Sequence, residues 1–123
     1  MSRPAPLAGV RILDLTRLLP GPVATLHLAD LGAEVVKIED PETGDYARTL
    51  GTGKGDDSAY FRMINRNKRG LCLDLKHPDG VAVFMRLART ADVVVENFRP
   101  GVVDKLGIGY AAVAAVNPRV AYC

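Results

Sequence analysis

Hydrophobic residues along the chain gather into short runs that alternate with stretches of helical period. Residues 10–16 (VRILDLT), 33–40 (AEVVKIED), 70–76 (GLCLDLK) and 92–98 (DVVVENF) are rich in β-branched and aliphatic side chains. Glycine, proline or charge bounds each run, and this predicts four strands. The second and fourth have continuous apolar centres, as expected of strands covered on both faces of a parallel sheet. Between strands one and two, residues 22–31 predict a helix, with Pro22 as its first residue and Gly32 as its stop. Pro78 opens another, with Asp79 in the first turn where the helix dipole favours an acid. Val81, Phe84, Met85 and Ala88 recur there at i, i+3, i+4 and i+7, one stripe facing a core, with Arg86, Arg89 and Thr90 on the other face.

Strand–helix alternation of this kind predicts βαβ crossovers and an α/β fold: a Rossmann-like open, mostly parallel sheet with flanking helices. Residues 41–58 (PETGDYARTLGTGKGDDS) are too long for a simple connector and are expected to be functional or mobile. Residues 59–67 suggest a short helix leading to the third strand. A Pro-Gly turn then opens 102–106, and an alanine/valine stretch follows at 111–116. Residues 119–123 (RVAYC) read as the start of a fifth strand with no covering helix after it. A bare apolar strand would leave a patch exposed, so the expectation is a chain truncated near its fifth strand.

Composition narrows the class. The 123 residues suffice for one domain, are 48% hydrophobic and 24% charged, and include no tryptophan. A net charge of +2 supplies no general basic field, so nucleic-acid binding is not expected. Cys72 and Cys123 sit in apolar runs and are expected to be small buried thiols in a reducing compartment. The first six residues do not resemble a signal peptide, and no apolar run approaches the ~20 residues of a membrane span. Cytoplasm is the expected location.

Candidate chemistry is sparse. His27 and His77 have no ligand pattern around them, and no metal is expected. His27 is expected at the core edge of its helix and His77 at a helix entrance. There is no serine elbow and no phosphate loop of the Walker type. The junction LTRLLPGPVA lacks G-x-G-x-x-G, which weighs against a nicotinamide or flavin domain, yet it lies where open α/β sheets bind ligands. The cluster Asn65-Arg66-Asn67-Lys68-Arg69 could meet a phosphate or form a solvated turn. Glu96-Asn97-Phe98-Arg99-Pro100-Gly101 puts a ring, an amide and a guanidinium at the ligand-favoured end of the fourth strand. Asp14 and Asp74 could each be a buried acid with a shifted pKa or a hydrogen-bonded structural acid.

Five motifs carry a resemblance: PLAGVRILDLT, LADLGAEVVKIE, NRNKRGLCLDLK, ADVVVENFRPGVVDKLGIGY and NPRVAYC. Their order resembles the N-terminal part of the class III CoA-transferases, a group that includes formyl-CoA transferase, carnitine CoA-transferase and α-methylacyl-CoA racemase. The resemblance runs from about Leu7 to Cys123 and implies that residues 1–123 are the N-terminal part of a large CoA-binding, Rossmann-like domain. It implies coenzyme A or an acyl-CoA as substrate, with a carboxylic acid as the other reactant. It also implies a homodimer of interlocked chains in the full-length protein. Transfer in the family runs through an aspartyl-CoA thioester, a form of covalent catalysis.

The resemblance places cofactor contacts at Leu19 and Pro20, at Leu73, Asp74, Leu75 and Lys76, at Asn97, Phe98 and Arg99, and at Lys105. Lys105 replaces the family's arginine, keeping the charge without the bidentate fork. Asp40 stands where an arginine is often found and would repel phosphate unless Arg48, Lys54 or the NRNKR cluster compensates. No aspartate present matches the family's nucleophile, so this chain alone is expected to be inactive. Two other expectations remain open: a parent enzyme of the racemase type, and a receiver-like signalling module with five strands.

Overall fold

The computed structural model describes residues 4–51 and 58–123. Five strands form one parallel sheet: β1 (Arg11–Asp14), β2 (Glu34–Glu39), β3 (Arg69–Cys72), β4 (Val93–Val95) and β5 (Ala121–Tyr122). Their order across the sheet is β3-β2-β1-β4-β5. The register pairs Leu13 with Val36 on one side and with Val94 on the other. This order is that of the Rossmann type, whereas a receiver domain follows 2-1-3-4-5. The receiver-like alternative is therefore excluded.

The helices are α1 (Pro20–Asp30), α2 (Ala59–Asn65), α3 (Pro78–Ala88), α4 (Val102–Lys105) and α5 (Tyr110–Val116), with a short 3₁₀ helix at Tyr46–Thr49. Strand alternation divides the core between two faces. Ile12 and Val35 pack with Ala29 and Ala33 beneath α1. Leu13, Leu15, Ile38 and Val94 pack with Phe84 and Ala88 of α3, Val103 of α4 and Val113 of α5. The stripe expected on α3 is present: Phe84 and Ala88 are fully buried and Val81 and Met85 pack against the same cluster. Truncating Phe84 to alanine would cost about 3–5 kcal/mol.

Helix α1 begins two residues before the expected start. Pro20 and Pro22 both lie in the first turn, whose N–H groups have no intrahelical acceptor, so neither ring removes a helix bond. The strands are shorter than the hydrophobic runs, although ladder bonds continue beyond them: Leu15 N–H donates to Val95 C=O, and Leu73 N–H to Glu39 C=O, at 2.8 and 2.9 Å.

Three expectations on single residues are corrected. His27 is exposed, because the buried arc of α1 is Pro22, Thr25, Leu26 and Ala29 and position 27 points away from it. His77 does sit at a helix entrance: its Nδ1 accepts from Asp79 N–H at the start of α3. Cys72 and Cys123 are free and exposed. Both lie on or just past an edge strand, and Cys72 points away from the core that its neighbour Leu71 joins.

Candidate cofactor-binding site

Strands β2 and β4 flank β1, so the chain turns one way after β1 and the other way later. That reversal opens a crevice at the carboxyl ends of the strands, where α/β sheets take ligands. A cavity of about 290 Å³ lies there. Leu15, Ile38, Leu73, Leu75, Phe98, Val102 and Leu106 make it largely apolar, and Arg17, Glu39, Asp40, Thr43, Tyr46 and Lys76 supply its polar rim.

The walls are fixed by close contacts. A Cβ at Gly21 would collide with the Thr16 side chain, so the start of α1 rests directly on the end of β1. A Cβ at Gly80 would collide with the Asp74 carbonyl, which seats the segment following β3 against α3. Between these walls, Asn97 grips the backbone of Arg17: its Oδ1 accepts the Arg17 N–H and its Nδ2 donates to the Arg17 carbonyl, each at 2.9 Å. Leu18 has φ 71°, a left-handed conformation costing about 1–2 kcal/mol for a residue with a side chain. Asp45 Oδ1 accepts the Leu18 N–H at 3.0 Å and the Ala47 N–H at 2.9 Å. One carboxylate thus holds the β1–α1 junction to the loop that carries Thr43 and Tyr46.

On the α1 side of the sheet, inward-facing charges form a layer that no single motif announces. Lys37 Nζ lies 2.8 Å from Asp45 Oδ2, with both side chains at 2% exposure or less. It also donates to the Thr16 carbonyl at 2.8 Å. Lys68 Nζ meets Asp14 Oδ2 at 3.0 Å and donates to the Pro22 carbonyl and Asn65 Oδ1. Arg48 binds both oxygens of Glu39, at 2.7 and 2.8 Å, and lies 3.8 Å from the Phe61 ring centroid. Burial opposes ionisation of Glu39, but Arg48, the Asp45 N–H and Lys37 outweigh it and hold the carboxyl below its ordinary range. Asp45 is likewise pushed up by burial and pulled further down by Lys37 and the amides of Ala47 and Leu18. Burial lowers the Lys68 pKa, with Asp14 opposing the shift.

This layer answers the open question about the NRNKR cluster. Lys68 is committed to Asp14, Arg66 and Asn67 to Asp30, and Arg69 to Glu34. The cluster staples β3 and α2 to β1, β2 and α1, and each of its cations has an acidic partner within the chain. Asp14 is buried and hydrogen-bonded to Thr16, Thr25 and Lys68. Asp74 is exposed and its carboxylate accepts the Lys76 N–H, so it is a turn acid rather than a buried one. Asp40 accepts from the amides of Glu42 and Thr43 and faces Lys76 Nζ at 3.6 Å. Those amides, with Thr43 foremost and Lys76 assisting, keep its carboxyl below the usual range. Arg48 does not face Asp40's oxygens in this way but is engaged with Glu39. Lys54 lies outside the described residues.

Of the ten positions named from the sequence, Leu73, Leu75, Lys76 and Phe98 line the cavity. Leu19 and Pro20 are exposed where α1 begins, and Asp74 is exposed between two cavity residues. Asn97 acts on Arg17 from the next wall. Arg99 and Lys105 are exposed around α4 and do not line the cavity. Sequence reasoning missed Arg17, Thr43 and Tyr46. The only available signal was their place directly after β1 and β2, at the ligand-favoured edge. Among the described residues, no group of His, Cys, Asp and Glu side chains could hold a metal ion. No helix among them is long and apolar enough to cross a membrane.

Comparison with known proteins adds a family. The sequence model described as CoA-transferase family III matches residues 7–123. Succinyl-CoA:glutarate CoA-transferase of Homo sapiens is 46% identical over 124 residues, covering 100% of this chain and 28% of the human protein. Acetyl-CoA:oxalate CoA-transferase of Acetobacter aceti is 48% identical over 117 residues, covering 95% of this chain and 30% of that protein. A CAIB/BAIF family protein from Brucella suis superposes with a TM-score of 0.90 at 41% identity, covering 98% of this chain and 33% of that structure. The chain thus spans about 30% of the length of the relatives it matches.

Proposed function

The chain belongs to CoA-transferase family III, and from that premise we propose that it builds a CoA-binding part of an acyl-CoA:carboxylate CoA-transferase. The observation that carries the reading is the cavity at the strand ends, where Leu73, Leu75, Lys76 and Phe98 converge from two strands that are not neighbours in the sheet. Its apolar floor suits the pantetheine arm of an acyl-CoA, and its charged rim suits the polar groups at either end. Leu19, Pro20, Asp74, Asn97, Arg99 and Lys105 complete the proposed contact set around the same edge. The exposed cations Arg99 and Lys105 are free to swing toward phosphates.

The acid that accepts CoA is proposed to lie outside residues 1–123. Asp14 and Asp45 are buried in ion pairs, Asp40 is held by two amides and Lys76, and Asp74 is an exposed turn acid that accepts the Lys76 N–H. None of these four presents an uncommitted carboxylate to a bound thioester, and on this reading residues 1–123 alone should not transfer acyl groups. Similar proteins include transferases named for succinyl-CoA and glutarate, acetyl-CoA and oxalate, and formyl-CoA and oxalate. That favours transfer between carboxylic acids over racemisation. A homodimer of the full-length protein and a reducing, cytoplasmic setting complete the reading; free exposed thiols at Cys72 and Cys123 suit that setting.

Titration calorimetry with CoA tests this. Lys76→Glu, at an exposed cavity side chain, should weaken CoA binding at least tenfold, while Arg86→Ala on the outer face of α3 should leave it unchanged. Absence of CoA binding by the wild-type protein would overturn the proposal.

A further inference from the structure

Four charged residues line the cavity at the strand ends, and three of them are answered internally. Glu39 is held by Arg48, and Asp40 and Lys76 face each other. Arg17 is the fourth, and among the described residues no carboxylate forms an ion pair with it. Its guanidinium carbon lies 5.0 Å from the Phe98 ring centroid and 5.8 Å from that of Tyr46. The cation thus lies over the faces of two rings, a cation–π contact that holds the guanidinium at the cavity wall without occupying its donors in an ion pair. Asn97 fixes the backbone beneath it on both the N–H and the carbonyl side. The surrounding wall is apolar, so a charge brought there is screened less than at an open surface.

We propose that Arg17 is the anion-recognition residue of this cavity, and that its guanidinium takes an oxyanion of the bound ligand through charge-assisted hydrogen bonds. The inference rests on the CoA reading and adds to it a residue that the sequence motifs did not single out. The oxyanion could come from two sources with the same chemistry: a phosphate of CoA, or a free carboxylate of the acid that enters or leaves.

Calorimetry on the wild-type protein, Arg17→Gln and Arg17→Lys separates these sources. The probes are CoA, pantetheine, which lacks the phosphates, and glutarate added to the CoA-bound protein. If Arg17 takes a phosphate, Arg17→Gln weakens CoA at least tenfold and leaves pantetheine unchanged. If it takes a carboxylate, CoA is unchanged and glutarate weakens at least tenfold. Arg17→Lys should recover part of either loss, because it restores charge without the fork. Wild-type affinity of Arg17→Gln for both CoA and glutarate would overturn the role of Arg17 and leave the CoA reading standing. Failure of the wild-type protein to bind CoA would overturn both.

Discussion

Lys37 and Asp45 meet at 2.8 Å in the interior, and through this contact a loop that carries two cavity residues is bound to the centre of the sheet. Lys37 comes from β2, where its neighbours Val36 and Ile38 face the opposite core. Asp45 comes from the loop after β2 and also holds Leu18 in its left-handed conformation. Removing one partner leaves the other charge buried and alone. Asp45→Ala or Lys37→Met should therefore each cost about 3–5 kcal/mol. The double variant should cost clearly less than the sum, which denaturant unfolding of the four proteins will show.

Acid should weaken the same layer. Glu39 and Asp45 have native pKa values below their ordinary 4.5 and 3.8. Their contribution is therefore fully present above those ordinary values and is lost as pH falls through the depressed native ones. Thermal unfolding followed from pH 6 to pH 2 should show stability falling through this window. Glu39→Gln should flatten the fall, having already lost part of that contribution at neutral pH.

Tyr122 gives the opposite limb. Its hydroxyl donates to the Ile108 carbonyl at 3.0 Å, and its pKa is raised from 10.0 to about 12, first by burial and then by Glu96 and Asp104. A raised phenol contributes stability below pH 10 that is lost as pH rises toward 12. Tyr122→Phe should cost about 0.5–1.5 kcal/mol at neutral pH. The difference between the two proteins should shrink between pH 10 and pH 12, as read by unfolding at each pH.

Gly80 tests how the cavity wall is seated. A methyl group there meets the backbone carbonyl of Asp74, which cannot rotate away as a side chain would. Gly80→Ala should cost about 1–3 kcal/mol through overpacking. It should also lower CoA affinity by shifting Leu73 and Leu75, whereas Gly70→Ala, at an open position, should leave that affinity unchanged. Melting temperatures and CoA titrations of the two variants make the comparison.

Local patterns carried the elements and the order in which they alternate. The runs around β1, β2 and β4, the stripe on α3 and the proline-led helix starts all follow from side-chain period and backbone chemistry, which neighbours in sequence decide. The polar layer was not legible in the same way. Lys68 finds Asp14 across 54 positions and Lys37 finds the Thr16 carbonyl across 21. Nothing local to NRNKR says that its lysine turns inward, so the cluster could be read equally as a phosphate nest. Cys72 and His27 misled for a related reason: an apolar neighbourhood in sequence does not say which side of an edge strand or a short helix a given residue takes. Phe98 was legible from its place at the ligand-favoured end of the fourth strand, Leu73, Leu75 and Lys76 were accessible only through family resemblance, and Arg17 needed the geometry of Asn97 and the two rings.

Chemical-shift mapping of CoA onto the protein tests the central claim most directly. With methyl and aromatic labels, addition of CoA should perturb Leu15, Leu73, Leu75, Phe98, Val102 and Leu106, the apolar lining of one cavity at the carboxyl ends of the strands. Perturbations confined to the opposite pole around Ala91 and Asn117, or none at saturating CoA, would contradict it.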